Sequence, residues 1–271
     1  MTSAAVPPTT ECTASPLPQG LHVAVAWVLL TLALQGVLST VAAEGLGEAR
    51  RLSLVSAQRQ REYYLLVPAS VPDELPAPVL LLLHGSYSTP LDILPQWREV
   101  ATGAGLILVA PKSSAVYGWR IHEDGPDFFR DLIDEVARQR PIDRRRIYLF
   151  GHSAGAVHAL TLGILESQYF AAVAVHAGAF TQQSSFNVLP LARRKIPLWI
   201  AVGDQDEQFP LSAVRQTETA LRSAGFPLTL TILSGHDHSY LAPLSGRINR
   251  DAWAFLESLS LADAPLYQSY R

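Results

Sequence analysis

One cysteine, Cys12, is all the chain contains, and it lies upstream of the patterned region. That region therefore has no thiol for catalysis and no disulfide framework, and cysteine usage says nothing about compartment. Charge is also sparse: 17% of the 271 residues are charged and the formal net charge is −3. Without a basic excess, nucleic acid is not an implied partner. After residue 50 there is no internal repeat or low-complexity segment, which excludes a solenoid or a disordered array.

Lysine and arginine are missing altogether from residues 1–49, where Leu21 to Ala43 is an almost continuous apolar stretch. Such a stretch does not belong to a soluble surface. Val41-Ala42-Ala43 offers the small residues of a signal-peptidase site, so residues 1–43 are expected to be a signal peptide, with the protein secreted or periplasmic. The positive n-region of such a signal is absent. Pro7, Pro8, Pro16 and Pro18 precede the apolar run, and the first cations, Arg50 and Arg51, follow it. The alternative is an uncleaved membrane tether through 21–43, which by the positive-inside rule holds the domain on the cytoplasmic side. Residues 44–60 are assigned to a linker or the start of the domain, 61–260 to the catalytic domain and 261–271 to a C-terminal tail.

From Arg61 onward, short leucine-rich or β-branched runs alternate with longer helical patterns. This predicts an α/β fold, a mostly parallel sheet with helices on both faces. Strands are expected at Glu62–Val67, Pro78–Leu83, Leu106–Ala110, Arg146–Phe150, Ala171–His176, Leu198–Val202 and Leu228–Leu233, several of them apolar throughout as buried parallel strands are. Helices are expected at Asp127–Arg140, Leu211–Ala224 and Ile248–Leu259. The segment from Thr181 to Lys195 is too short for a separate lid domain, so the site is expected to be open and bounded by loops.

Gly151-His152-Ser153-Ala154-Gly155 follows one of these strands and opens a helical stretch through Leu165. Strand, tight turn and helix is the context of a nucleophile elbow, in which the serine is exposed above a helix N-terminus. A serine is a poor nucleophile alone; it needs a histidine to take its proton and an acid to orient that histidine. Strand Leu198–Val202 runs into Gly203-Asp204-Gln205-Asp206, and strand Leu228–Leu233 into Ser234-Gly235-His236-Asp237-His238-Ser239-Tyr240. Both turns emerge at the sheet edge that carries Ser153, leaving two acids and two histidines as candidates.

Together with Leu83-His84-Gly85-Ser86 after an early strand, these segments resemble an α/β-hydrolase. More narrowly they resemble the secreted serine esterases that include polyhydroxybutyrate depolymerases and feruloyl or acetylxylan esterases, over roughly Tyr63 to Leu259. The resemblance implies a cofactor-independent hydrolase of carboxylic esters, acting on a small-molecule or polymer substrate; the alternatives are a serine peptidase or other acyl hydrolase and, in another class, a non-catalytic binding protein of the same fold. It makes Ser153 the nucleophile, Asp206 the acid in preference to Asp204, and His238 the base in preference to His236. It also implies an oxyanion hole built from the backbone N–H groups of Ser86 and Ala154. Tyr87, Trp119 and His236 are expected at the substrate, with Tyr117-Gly118-Trp119 as an aromatic wall or, alternatively, as cover for the long helix. His122-Glu123-Asp124 and His236-Asp237-His238 cluster ligand-type side chains, but no metal is expected. His152 reads as a variable position, and His158 and His176 as core or wall residues.

Overall fold

The computed structural model describes residues 47–268. The apolar run at 21–43, and with it the signal-peptide and tether expectations, lies outside them. Among the described residues no helix is long and apolar enough to cross a membrane.

Eight strands form one sheet in the order β1-β2-β4-β3-β5-β6-β7-β8. They span β1 Arg50–Ser56, β2 Arg59–Leu66, β3 Ala77–Leu83, β4 Ile107–Pro111, β5 Ile142–His152, β6 Ala172–His176, β7 Leu198–Gly203 and β8 Leu228–Leu233. The pairs β1/β2 and β2/β4 are antiparallel and every other pair is parallel. Among the described residues six α-helices accompany them: α1 Pro90–Ala104, α2 Pro126–Gln139, α3 Ala154–Leu165, the short α4 Gln183–Phe186, α5 Leu211–Ser223 and α6 Leu244–Leu256.

Strands β3 and β4 are apolar at every position, and β5 is apolar from Ile147 to Gly151, because both faces of the sheet are covered there. In β3 the side chains alternate between two cores: Val79, Leu81 and Leu83 join one, Leu80 and Leu82 the other. Strand β5 repeats the division, with Ile147 and Leu149 facing one way and Tyr148 and Phe150 the other. Helices α2, α3 and α5 cover the first face; α1 and α6 pack together over the second. Each fully buried leucine or phenylalanine contributes roughly 1.5–3 kcal/mol of transfer free energy.

Strand β1, helix α1 and the short α4 were not expected. Strand β1 has three exposed arginines or serines among its seven residues and so lacks a clean period; it forms by pairing with β2 from Arg50↔Leu65 to Ser56↔Arg59. Helix α1 carries Pro95 inside it, which removes one N–H donor and breaks the helical signal. Its start compensates: the Asp92 carboxylate accepts from the Thr89 N–H at 2.7 Å and from its hydroxyl at 2.8 Å. Ile93, Leu94, Trp97 and Ala101 then bury one face. Between β6 and β7 the chain holds only α4 and a three-residue 3-10 turn, Leu189–Leu191, as the short connection requires.

Candidate active site

Strand β5 passes directly into α3 through Ser153, whose backbone lies at φ 57° and ψ −122°. A serine pays roughly 1–3 kcal/mol for such a conformation, and the neighbouring glycines explain how it is held. A Cβ on Gly155 would lie 2.0 Å from the Leu83 carbonyl oxygen, and one on Gly151 2.2 Å from the Gly155 oxygen. Only bare backbone fits where β3, β5 and α3 converge. The Ser153 N–H donates to the His176 carbonyl at 3.1 Å, tying the turn to β6.

The Ser153 Oγ is 2.9 Å from His238 Nε2. On the other side of that ring, Nδ1 lies 2.9 and 3.1 Å from the two Asp206 oxygens. Asp206 is buried, and its Oδ1 also accepts the N–H groups of Gln208 at 2.9 Å and Phe209 at 2.8 Å. Those bonds fix the carboxylate independently of the histidine. Asp204 points elsewhere, accepting the Gly235 N–H at 2.7 Å, and so joins the turn after β7 to the turn after β8. The two turns touch at Gly203, where a Cβ would meet the His236 carbonyl oxygen at 1.9 Å.

Two backbone N–H groups close to Ser153 in the fold have no backbone acceptor among the described residues. Ala154 is the first residue of α3, where an N–H has no carbonyl a turn earlier to accept it. Ser86 lies in the loop after β3, and its N–H donates to no backbone carbonyl of the described residues. Four bonds with the 113–119 segment brace that loop: Tyr87 N–H to Val116 O at 2.7 Å, Ser86 Oγ to Tyr117 O at 2.8 Å, Trp119 Nε1 to His84 O at 2.8 Å, and Ser113 N–H to His84 Nε2 at 3.2 Å. The bracing segment is itself anchored by the buried Asp124. Its carboxylate accepts from the Ser114 N–H and hydroxyl, from the Arg120 N–H and from the Arg61 guanidinium.

A cleft of about 700 Å³ opens over Ser153 and His238, lined also by Ser86, Tyr87, His152, Gln208, Tyr240 and Leu241. Tyr87, 79% exposed, is among the residues lining it. Trp119, Tyr117 and His236, also expected at the substrate or in an aromatic wall, do not line it. Trp119 turns inward: its indole bonds His84 O, and its ring stacks on His158 at 5.3 Å and contacts His84 at 5.1 Å, so it supports the loop from below. The Tyr117 ring lies under the Arg120 guanidinium at 5.0 Å, outside the cleft lining. His236 is buried and bonded through Nε2 to His176 Nε2 at 3.1 Å, which keeps it behind the site.

His152 corrects the reading in the other direction. It lines the cleft, its Nδ1 is 3.0 Å from His176 Nδ1, and its ring stacks on Tyr240 at 5.1 Å. The signal for this is the strand register, which pairs His152 with His176 across β5 and β6. Burial, with nearby imidazoles, pushes His152 down to about 4 and His176 down to about 2. Burial also pushes His158, bonded to Asp124 O at 2.7 Å, down to about 4. Those three rings are neutral near pH 7. Among the described residues no group of three or more His, Cys, Asp or Glu is arranged to hold a metal ion.

Residues 124–244 match the family model described as phospholipase/carboxylesterase. A bifunctional acetylxylan esterase/xylanase of Neocallimastix patriciarum is 25% identical over 153 residues, 54% of this chain. The match covers only 22% of that relative's length. Among solved structures, a ferulic acid esterase superposes with a TM-score of 0.62 at 19% identity, covering 78% of this chain and 98% of its own. An acylaminoacyl peptidase of Pyrococcus horikoshii gives 0.63 at 14% identity, covering 82% of this chain and 43% of its own. Sheet order, elbow and these likenesses agree: the chain has the α/β-hydrolase fold, and the proteins it is similar to include esterases.

Proposed function

We propose that the protein hydrolyses carboxylic esters through an acyl-enzyme on Ser153. The observation that carries this is the unbroken run of contacts Asp206–His238–Ser153 at the floor of an open cleft, 2.9 Å at each junction. In the first half-reaction His238 Nε2 takes the Ser153 proton as Oγ bonds to the ester carbonyl carbon. The carbonyl π electrons move to oxygen, and the Ser86 and Ala154 N–H groups receive that oxyanion. Collapse of the adduct breaks the bond to the alkoxy oxygen, which leaves as alcohol with the proton from His238. Water then repeats the sequence on the acyl-enzyme, releasing the acid and restoring the serine.

Each supporting residue has a part in this cycle. Asp206 accepts the His238 Nδ1–H, fixing the tautomer that leaves Nε2 free to act as base, and stabilises the imidazolium. His152 and His176 remain neutral beside it, so the positive charge forms on His238 without a second cation nearby. The bracing at Val116, Tyr117 and Trp119 holds the Ser86 N–H in place before the charge develops. Removing one such donor costs roughly 3–4 kcal/mol of transition-state stabilisation.

The substrate class rests on the matched relatives, which include an acetylxylan esterase and a ferulic acid esterase. Parallel assays with p-nitrophenyl esters and peptide anilides test the reading. Ester turnover that Ser153→Ala abolishes is expected; turnover of anilides alone makes the protein a peptidase. We further propose export, with removal of residues 1–43. N-terminal sequencing of mature protein is expected to begin at Glu44, and an intact apolar segment in a membrane fraction contradicts that.

A further inference from the structure

Three histidines outside the proposed triad form a continuous chain. His152 Nδ1 contacts His176 Nδ1 at 3.0 Å, and His176 Nε2 contacts His236 Nε2 at 3.1 Å. Both nitrogens of the middle ring are therefore engaged. A neutral imidazole carries one N–H, so it can donate through one nitrogen only and must accept through the other. Burial keeps His176 neutral. The whole chain then has two self-consistent arrangements, because the direction of one bond dictates the other.

In the first arrangement His152 donates to His176, His176 donates to His236, and the His236 proton sits on Nδ1. His152 Nε2 is then bare and accepts from whatever enters the cleft. In the second, every bond is reversed and His152 presents an Nε2–H donor. A charge at the far end selects between them. The Asp237 carboxylate lies 3.9 Å from His236 Nδ1 and is held by the Ser239 N–H at 2.8 Å. A negative oxygen on that side favours the proton on His236 Nδ1, and so the first arrangement. We propose that His152, His176 and His236 form a polarised tautomer chain that presents His152 Nε2 to the cleft as a hydrogen-bond acceptor, selecting esters that carry a hydroxyl near the scissile carbonyl.

The ring is placed for that role. His152 precedes the serine directly, and its Cδ2 edge faces Gly85 of the loop after β3, at 3.6 Å from where a glycine Cβ would stand. Its face lies 5.0 Å from the His238 ring. A group bonded to Nε2 thus lies beside the reacting carbonyl. The substrate part of the inference rests on the esterase reading; the tautomer part does not.

Nitrogen-15 shifts of the histidine rings in substrate-free wild-type protein distinguish a bare ring nitrogen from an N–H. The expected pattern is Nδ1–H on His152, Nε2–H on His176 and Nδ1–H on His236; an Nε2–H on His152 overturns the proposal. The kinetic arm compares kcat/KM for ethyl lactate against ethyl propionate, and for 2-hydroxyethyl acetate against ethyl acetate. Wild type is expected to favour the hydroxylated member of one pair. His152→Phe should reduce that ratio about 3- to 10-fold, the value of one neutral hydrogen bond, and His152→Gln should restore part of it. His236→Phe should lower the same ratio although it touches no substrate, because it removes the ring that sets the chain's direction. Ratios unchanged in His152→Phe overturn the selecting role. Absence of turnover on all four esters overturns the esterase reading and that role together, while the tautomer pattern is decided by the spectra alone.

Discussion

Acidification from about pH 7 to about pH 4.5 should destabilise this protein through two buried rings. His158 and His176 are 6% and 0% exposed and sit at about 4 and about 2, against an ordinary value of about 6.5. Folding therefore requires their neutral forms. The unfolded chain takes up a proton at each as the pH falls through about 6.5, whereas the folded protein does not until its lower values are reached. Between about pH 6 and pH 4.5 the unfolded state binds roughly two more protons, so stability falls as pH falls, by about 3 kcal/mol per pH unit. It is fully present above about pH 6.5. Over one and a half to two units the loss is about 5 kcal/mol, a large share of the 5–15 kcal/mol typical of a domain. His152 adds to the same slope, less strongly because its ring borders the cleft. Urea unfolding followed by tryptophan fluorescence at a series of pH values measures it. A slope below about 1 kcal/mol per unit near pH 5 refutes the reasoning, as does an unchanged slope in the His158→Phe, His176→Phe double variant.

Three further outcomes follow from contacts at and below the site. Asp206→Asn should lower kcat by about 10⁴-fold with little change in fold by circular dichroism, because an amide no longer enforces the His238 tautomer. Asp124→Asn leaves the Arg61 guanidinium buried without its charge partner and should cost about 3–5 kcal/mol, read as a drop in the urea midpoint. It should also lower kcat more than it changes KM, since the 113–119 segment braces the Ser86 N–H. Gly203→Ala should destabilise by at least about 1–3 kcal/mol and slow acylation, because its Cβ has no room against the His236 carbonyl and the two turns must separate; stopped-flow acylation rates test this.

Much of this architecture was legible from residue pattern alone. Leu228–Leu233 has the expected bounds, and the other expected strands and helices shift by a few residues. Those runs are apolar because both faces of the sheet are covered, and a continuous apolar run is easy to see. The elements that escaped are the ones whose formation depends on something outside their own period: β1 on its pairing with β2, and α1 on a capping aspartate that offsets an internal proline. The site divides the same way. Ser153, Asp206 and His238 belong to turns with a recognisable residue order, and their placement within hydrogen-bonding distance agrees with that order. Trp119 and His236, expected at the substrate, and His152, read as a variable position, are placed otherwise, because each is decided by which neighbour offers a hydrogen bond. Trp119 finds a carbonyl beneath the loop, His236 finds His176, and His152 is turned toward the cleft by a register that only the paired strands define.

The central claim is that Ser153 is a nucleophile activated by His238, and a fluorophosphonate probe tests it without any choice of substrate. Wild-type protein should label covalently, with the adduct on the peptide that contains Ser153. Ser153→Ala should not label, and His238→Ala should label at a rate lower by at least about 10²-fold. Failure of the wild type to label, or equal labelling of Ser153→Ala, contradicts the account.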